Sequence, residues 1–442
     1  MQYYKKLGHQ RPVRNVWPPQ LSISSGIAIL SFSIFLIFCV YSTRVYILMA
    51  LMYLRSKKGL RASRRREVKD AFVSILVPTY NEARVIDRVL YACVSLDYEN
   101  YEVIVIDDST DETVDKLKKW AKHPRVKVIH RERRDGWKGG ALNEGLKHLD
   151  PRSKFVLVFD ADFIPQGDII RRMLSAFRDE RVAAVQGAQW HILNVDESWV
   201  ARGIRALLSA FYFFEHPARD VCGGLTQLNG SVMMIRRDVL EAVGGFGTSI
   251  TEDWELTLKL YEHGYRVVYE PSIRVPCECP ATLKHVIRQQ CRWGEGHTRN
   301  FRRYFWRVIT QDELPTRTRL DFMLVGASYL QSVLSIISLM LCVISLLAGI
   351  KWPIPDPLAT LLFVYANLAN PLAMLYGMRR EGAWHEKKDI IYAIILSYML
   401  APFVAYASLK GLLLSKGYFT RTHKTGHVTR VGVLGGLLSS LP

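Results

Sequence analysis

The chain has 442 residues, of which 49% are hydrophobic and 23% are charged, and its net charge is +18. This length allows one sizeable globular domain plus several further elements. The basic residues gather beside the apolar segments and no known binding motif interleaves them, which argues against a nucleic-acid-binding protein.

Four uncharged runs are each long enough to cross a membrane, which takes about 20 apolar residues. The first run is too long for a signal peptide and lacks a small-residue cleavage site, so we expect it to remain as an anchor. The sequence therefore predicts an integral membrane protein. The four runs cover residues 21–43, 322–350, 357–378 and 390–409.

Basic residues flank these runs. Nine Lys or Arg side chains and a single acid lie between Arg44 and Lys69, and a second basic group covers residues 299–319. Because basic loops remain on the cytosolic side, this bias predicts that residues 44–320 are cytosolic, with contact to anionic lipid as a further role. The seven scattered cysteines, without a CxxC pair, fit reduced thiols in such a domain.

Residues 72–269 alternate short β-branched runs with amphipathic segments. Strands are expected at residues 72–80, 101–109, 126–130 and 154–163, and helices are expected to begin near Glu82, Glu112 and Gly140. This alternation predicts an α/β domain with a mostly parallel sheet. Ligands bind such sheets beyond the carboxyl ends of the strands, where the sequences PTYNE, DDST and DADF fall.

Two carboxylates, Asp160 and Asp162, stand two positions apart at the end of an apolar strand. Their side chains are therefore expected on the same face of that strand. They could hold a hard divalent ion whose other ligands are phosphate oxygens and water. A surface turn is the ordinary alternative for a D-x-D pair, and the position after FVLVF favours the ion site.

Other polar residues in this domain have both a structural and a functional interpretation. Asp108 closes a buried strand, where a carboxylate needs a partner such as a nucleobase N–H. Ser109 or Thr110 could instead cap the next helix. Lys138 lies beside two glycines that let backbone approach a ligand, and it could neutralise a diphosphate.

The sequence TED, residues 251–253, opens an amphipathic segment. Thr251 is a candidate N-cap, and the two acids suit the positive end of a helix. A carboxylate at this position, facing a sugar site, could equally accept a hydroxyl proton as a general base.

In their order these motifs resemble those of the membrane-embedded, processive family 2 glycosyltransferases, which include cellulose, mannan, chitin and hyaluronan synthases. The resemblance covers residues 72–300, with a weaker match at 419–426. It implies a cytosolic GT-A-type domain, Rossmann-like, inserted between transmembrane helices, with inverting chemistry, a nucleotide-diphosphate sugar donor and Mg²⁺ or Mn²⁺. The matching motifs are PTYNE (78–82), DDS (107–109), KGGALN (138–143), DAD (160–162), LNGS (228–231), TED (251–253) and QQCRW (289–293).

The resemblance also implies a role for each matching residue. Asp253 is expected to be the catalytic base, and Asp160 and Asp162 are expected to bind the metal. The residues expected to bind the nucleotide are Thr79, Tyr80, Glu82, Asp108, Lys138 and Asp160. Those expected at the diphosphate and acceptor end are Gln289, Arg292, Trp293, Glu252 and Asn229. Phe419, Thr422 and Lys424 match a gating loop that closes over the nucleotide, although Arg421 replaces the valine of cellulose synthase.

Trp293 also has a simpler interpretation, as an aromatic side chain at the membrane interface. The resemblance makes it the platform for the terminal sugar of the acceptor, since an indole face suits the C–H face of a pyranose. Asn229 stands where bacterial cellulose synthase has a cysteine, and this form is nearer the mannan-synthase-like branch.

The segments divide the chain into five parts. They are residues 1–55 with the first membrane helix, 56–300 with the catalytic domain, 301–320 as a basic interfacial segment, 321–415 with membrane or interface helices, and 416–442 with the gating-loop-like tail. If all four apolar runs spanned the membrane, the tail would lie opposite the catalytic domain. Both loops around the last run are basic, so we expect residues 390–414, with Pro402 inside, to lie along the interface or re-enter.

The expected activity is transfer of a hexose from a UDP-sugar or GDP-mannose to a growing polysaccharide, coupled to secretion. The location expected is the cell membrane, or the Golgi or ER in a eukaryote. Transfer of a single sugar to a lipid, as in ceramide glucosyltransferases, is the alternative. A non-catalytic transporter is more distant, because the few spans carry almost no ionisable residues. Sugar, linkage, acceptor and oligomeric state stay open.

Overall fold

The computed structural model describes residues 23–57, 70–351, 354–414, 417 and 424–430 of the chain. In these ranges seven strands alternate with helices: β1 (Phe72–Thr79), β2 (Tyr101–Asp107), β3 (Val126–His130), β4 (Ser153–Val158), β5 (Val182–His191), β6 (Met233–Arg236) and β7 (Arg266–Cys277). They form one sheet in the order β3-β2-β1-β4-β6-β5-β7, and β6 runs antiparallel to both of its neighbours.

Long and short helices surround this sheet. The domain contains α2 (Ile86–Val94), α3 (Thr113–Trp120), α4 (Trp137–Leu146), α5 (Ile169–Leu174), α6 (Trp199–Ala210), α7 (His216–Cys222), α8 (Arg237–Ala242), α9 (Glu252–Glu262) and α10 (Leu283–Ile309). A 3₁₀ turn at Val195–Glu197 precedes α6, and a π-helical turn at Phe211–Glu215 joins α6 to α7. The flanking helices are α1 (Ile23–Lys57), α11 (Thr316–Gly326), α12 (Leu330–Ala348), α13 (Asp356–Glu381) and α14 (Ile390–Leu413), with a 3₁₀ turn at Trp384–Asp389 before α14.

The central strands read as continuous apolar runs because helices cover both faces of the sheet. On one face, Ile75 of β1 packs in a buried cluster with Val89 of α2. On the other face, Leu76 packs in a second cluster with Leu142 of α4. Each such side chain contributes about 1.5–3 kcal/mol to the free energy of folding when fully buried. The prediction of a mostly parallel α/β domain is confirmed.

Some element boundaries differ from the prediction. Strand β4 ends at Val158, so Asp160 and Asp162 lie in the turn after the strand and not on one strand face. The helix expected from Glu82 begins four residues later. Helix α10 continues to Ile309, so the domain boundary expected at residue 300 falls inside it.

Four helices in the described residues are long and apolar enough to cross a membrane: α1, α12, α13 and α14 with its preceding turn. The apolar run expected at 322–350 is divided between α11 and α12. In α14, 39% of the most apolar 18-residue stretch is buried by the protein, against 6–17% in the other three helices. Helix α14 is therefore the one most covered by protein.

Helix α14 lies lengthwise against the domain. A Cβ on Gly203 of α6 would lie 2.6 Å from Leu396, so the two helices approach closely there. Lys410 Nζ lies 3.1 Å from Glu295 Oε2 of α10. One turn further along α10, Arg299 Nε donates to the carbonyl oxygen of Leu414 at 3.2 Å. The expected interfacial position of this helix remains a prediction.

Partly buried ion pairs attach α1 to the domain. Arg44 of α1 lies 3.1 Å from Glu215 and 2.9 Å from Asp321 of α11. The Asp321 carboxylate also lies 3.4 Å from Arg219 of α7, which is itself buried. A buried charge needs such partners, because an isolated one carries a large desolvation cost. The network therefore fixes the position of α1 against α7 and α11.

Candidate active site

The carboxyl ends of β1 and β2 are joined by Asn81. Its backbone has a φ of 56°, a left-handed conformation that asparagine tolerates better than most residues. Its N–H donates to Ser109 Oγ at 2.7 Å, and its Oδ1 accepts from the N–H of Thr110 at 2.8 Å. Ser109 and Thr110 therefore do not cap the next helix, whose N-cap residue is Glu112. The sequence contains Asn81 within PTYNE, but sequence reasoning gave it no role.

Two arginines cover the expected nucleoside end of the site. Both oxygens of Asp108 accept hydrogen bonds from Arg131, at 2.6 Å each. Arg134 places its guanidinium carbon 3.7 Å from the centre of the Tyr80 ring. Sequence reasoning missed both arginines, although the basic run RERR in residues 131–134 was a signal.

Thr79 and Glu82 of the PTYNE motif lie beside this end. Thr79 is buried, and its Oγ1 has no hydrogen-bond partner among the residues that the structure describes. This hydroxyl group therefore has unused hydrogen-bonding capacity at the buried edge of the site. Glu82 is half-buried, and its carbonyl oxygen accepts from the N–H of Val85 and of Ile86, where α2 begins.

Lys138 on α4 connects three parts of the site. Its Nζ lies 2.6 Å from Asp160 Oδ1 and 3.3 Å from Glu252 Oε1, and it donates to the carbonyl oxygen of Gly230 at 2.7 Å. Burial alone would lower the pKa of Lys138, but the two carboxylates outweigh burial and raise that pKa. A stably charged ammonium group at this point suits the binding of a diphosphate.

Asp162 has two partners from distant parts of the chain. Its Oδ2 accepts from the N–H of Glu278 at 3.0 Å and from Lys424 Nζ at 2.7 Å. Burial alone would raise the pKa of Asp162, but Lys424 and the Glu278 N–H lower it. The carboxyl group is therefore ionised, as a metal ligand must be.

The two carboxylates of the DAD motif fit a hard divalent ion that also binds phosphate. Within the described ranges, no three His, Cys, Asp or Glu side chains gather into a metal site. Asp160 and Asp162 would therefore need phosphate oxygens and water to complete the coordination of Mg²⁺ or Mn²⁺, which is how Mg²⁺ is usually held.

Asp253 lies in the first turn of α9, beside Glu252. Burial, followed by the negative charge of Glu252, raises the pKa of Asp253 to about 7, against opposing effects of Lys138 and Arg292. Its Oδ1 accepts from the N–H of Trp254 at 2.8 Å, and Gly230 faces its other oxygen. A carboxyl group with a pKa near neutrality is suited to general-base catalysis.

Thr251 was expected at the N-cap of α9, and the structure confirms that position but not a capping role for its side chain. The side chain makes no capping hydrogen bond. Its Oγ1 instead accepts from Asn300 Nδ2 of α10 at 3.1 Å. This contact attaches the start of α9 to α10, and so positions Asp253 against the helix that carries the QQCRW motif.

Gln289, Arg292 and Trp293 lie on α10 at spacings that place them on one side of the helix. Arg292 donates to the carbonyl oxygen of Ile250 at 3.5 Å, so it reaches the loop before α9. Gln289 Oε1 is buried and has no hydrogen-bond partner in the part of the chain that the structure describes. Trp293 is half-buried. The motif therefore lies at the α9 side of the site.

Asn229 lies between the strands and α7. Its N–H donates to Gln186 Oε1 at 2.9 Å, and its side-chain amide lies 3.2 Å from His216 Nε2. Of the three residues expected in a gating loop, Lys424 contacts Asp162, whereas Phe419 and Thr422 lie outside the described residues.

The arrangement defines a GT-A-type glycosyltransferase domain: carboxylates and a lysine converge at the carboxyl ends of a mostly parallel sheet, next to a candidate base. Residues 70–296 match the family model described as "Glycosyltransferase like family 2". The chain belongs to this family and carries a glycosyltransferase domain.

Two relatives illustrate the range of the family. The chain is 31% identical to a beta-monoglucosyldiacylglycerol synthase of Synechocystis over 72% of this chain and 67% of that protein. It is 30% identical to glucomannan 4-beta-mannosyltransferase 1 of Oryza sativa subsp. japonica over 54% of this chain and 47% of that protein. The match therefore spans less than half the length of the rice relative.

A solved structure shares the fold. The mannosyltransferase PcManGT of Pyrobaculum calidifontis, in complex with GDP-Man and Mn²⁺, aligns with a TM-score of 0.55. The alignment covers 84% of this chain and 98% of that one, at 21% sequence identity. At this identity the likeness concerns the fold alone.

Proposed function

We propose that the protein transfers a hexose from a nucleotide-diphosphate sugar to an acceptor hydroxyl group with inversion, and that Asp253 is the general base. The observation that carries this proposal is the position of Asp253, beside Glu252 and facing Gly230, with a pKa raised to about 7. At neutral pH, a substantial fraction of this carboxyl group is ionised and can accept a proton.

In this reaction the acceptor hydroxyl loses its proton to Asp253 while its oxygen attacks the anomeric carbon. The bond from that carbon to the diphosphate breaks, and the nucleoside diphosphate leaves with the electron pair. Lys138 and Arg292 would stabilise the negative charge that develops on the leaving group. A divalent ion held by Asp160 and Asp162 would supply Lewis-acid stabilisation of the same charge.

The proposed acceptor is a growing polysaccharide, extended processively and secreted. Support comes from the named activity of the glucomannan relatives and from the order of motifs up to QQCRW. A membrane lipid is the second candidate, favoured because the match to the Synechocystis lipid glycosyltransferase extends over more of both chains. Either acceptor would approach from the side of α10, where Trp293 lies.

The decisive experiment uses purified full-length protein with UDP-glucose, UDP-N-acetylglucosamine or GDP-mannose, each with Mn²⁺ or Mg²⁺. Release of nucleotide identifies the donor, and the size of the labelled product separates a polymer from a lipid carrying one sugar. A single-sugar lipid adduct would end the polymer proposal. Wild-type protein that consumes none of these donors would contradict the transferase proposal as a whole.

The proposed topology has three spans, with α14 at the membrane interface on the side of the catalytic domain. Support comes from the segments at both ends of α14. Before the helix, the carbonyl oxygen of Glu381 accepts from Arg274 of β7 at 3.1 Å. After it, Arg430 lies 2.7 Å from Asp196, in the turn before α6. A spanning helix would place these two segments on opposite sides of the membrane.

A further inference from the structure

A fully buried carboxylate, Glu278, lies between the DAD motif and residues 424–430 near the C-terminus. It follows β7, and its own N–H donates to Asp162 Oδ2 at 3.0 Å. Its Oε1 accepts from Arg88 of α2 at 2.7 Å. The Arg88 ion pair compensates the burial of this charge, so the carboxylate is held beside Asp162.

The second oxygen of Glu278 faces the C-terminal segment, defined as residues 424–430. Glu278 Oε2 accepts from the N–H of Thr425 at 3.0 Å and from the N–H of Gly426 at 3.3 Å. Two successive backbone N–H groups around one oxygen form a small anion-binding concavity. Gly426 has a φ of +76°, and a Cβ there would lie 2.9 Å from Arg84 Cβ, so the turn requires glycine.

Lys424 lies directly beside the turn that contacts Glu278. Lys424 immediately precedes the two N–H groups, and its Nζ reaches Asp162 at 2.7 Å. The rest of the C-terminal segment is held by contacts away from the DAD motif, among them the ion pair of Arg430 with Asp196 at 2.7 Å. Thr425 Oγ1 donates to Glu197 at 3.0 Å, and the Thr429 N–H donates to the carbonyl oxygen of Leu193 at 2.8 Å. Among these contacts, the buried carboxylate is the one adjoining the expected donor site.

We infer that Glu278 is a positioning residue that docks the C-terminal segment onto the donor site. It holds the backbone of Thr425 and Gly426 and thereby positions the neighbouring Lys424. Glu278 itself contacts no reacting atom. Only the expected effect on KM for the nucleotide sugar rests on the proposed function. The docking itself is a property of the protein without substrate.

Hydrogen exchange tests the docking. In full-length protein without nucleotide or metal, Glu278→Gln should speed exchange of the Thr425 and Gly426 amides by about tenfold or more, because hydrogen bonds to a charged acceptor are lost. Glu102→Gln is the matched control, since Glu102, like Glu278, accepts a backbone N–H, here that of Asp150, but lies at the start of β2. Unchanged exchange in Glu278→Gln, or an equal change in the control, would overturn the inference.

A second variant covers the case in which Glu278→Gln does not fold. Gly426→Ala disturbs the same turn and leaves Glu278 intact, because the added Cβ would lie 2.9 Å from Arg84 Cβ, so it should accelerate exchange of the same two amides. Kinetics then test the link to the donor: each variant should raise KM for the nucleotide sugar by about five- to tenfold, with a smaller change in kcat. Unchanged KM with faster exchange would overturn the donor-site role. Wild-type protein without transferase activity would contradict the proposed function, while the exchange result would still decide the docking.

Discussion

Lys424 and Asp162 are 262 positions apart in the sequence, yet Lys424 Nζ lies 2.7 Å from Asp162 Oδ2. The ammonium group thus lies on a carboxylate that is expected to bind a divalent ion. An ion that binds Asp162 must displace this ammonium group or share the carboxylate with it. The C-terminal segment and the metal therefore compete for one side chain.

We accordingly expect Lys424→Met to tighten Mn²⁺ binding by about tenfold in the absence of nucleotide, since a buried charge-assisted contact no longer opposes the ion. The signal of free Mn²⁺ in electron paramagnetic resonance measures this affinity. Lys410→Met is the matched control, because Lys410 also pairs with a buried glutamate, at 3.1 Å, away from the site. Unchanged or weaker binding in Lys424→Met would place the ion elsewhere.

Gly230 lies where the site has little space for a side chain. A Cβ there would lie 3.1 Å from Lys138 Nζ and 3.2 Å from Asp253 Oδ2, and the φ of +81° already disfavours other residues. Gly230→Ala should therefore lower kcat/KM by at least about tenfold, because the candidate base and the lysine must move.

Gly244→Ala separates this effect from backbone strain. Gly244 has a similar φ of +77°, but nothing lies within 4 Å of its Cβ position. Both variants should lose about 1–2 kcal/mol of stability from the left-handed backbone, measured by thermal unfolding. Only Gly230→Ala should lose activity; equal losses of activity would show that strain alone explains the effect.

The raised pKa of Asp253 predicts the pH dependence of transfer. A general base must be ionised, and a carboxyl group with a pKa of about 7 is mostly protonated below that pH. The logarithm of kcat/KM should therefore fall with a slope of one below about pH 7 and level off above it, since this parameter reports the free enzyme.

Substitution identifies the group that causes the fall in kcat/KM below about pH 7, which is the acidic limb of the pH profile. Asp253→Asn should lower kcat/KM by about 10²–10⁴-fold and remove the limb. Asp220→Asn should keep the limb, although burial also raises the pKa of Asp220 to about 6, because this carboxyl group accepts the N–H of Tyr269 and lies outside the site. An unchanged limb in Asp253→Asn would show that another group is the base.

The first four strands were predictable because each is a local apolar run with its own turn signals. Strand β6 was not, since it has only four residues and inserts antiparallel between β4 and β5. Its place depends on pairing with strands about 50 to 80 positions away, which local periodicity does not report. Helices α5, α7 and α8 have only six or seven residues each, too few for a clear periodic pattern, and no individual prediction was made for α5 to α8.

The motifs identified most of the candidate site because most of them carry their polar residues at or near a strand or helix end; QQCRW, inside α10, is the exception. Sequence reasoning could not supply the partners of those residues. Asp108 is paired with Arg131 and Asp162 with Lys424, and both pairs exist because separate segments meet in the fold. Glu278 was missed because a lone glutamate in CECP has no distinguishing pattern until Thr425 and Asp162 lie beside it.

The position of α14 relative to the membrane gives the last prediction. His385 and His427 flank this helix, and both side chains are largely exposed, at 74% and 71%. If α14 lies at the interface, cysteines at these two positions share one side of the membrane with the catalytic domain. Lys351, in the connection between α12 and α13, would lie on the opposite side.

In intact cells, an impermeant thiol reagent should label Lys351→Cys but neither His385→Cys nor His427→Cys. All three should be labelled after permeabilisation. The background should carry Cys342→Ser, because Cys342 of α12 is exposed. Labelling of His427→Cys alongside protection of His385→Cys would mean that α14 spans the membrane. The C-terminal segment could not then contact Asp162 on the cytosolic side, and the docking at Glu278 would be excluded in the cell.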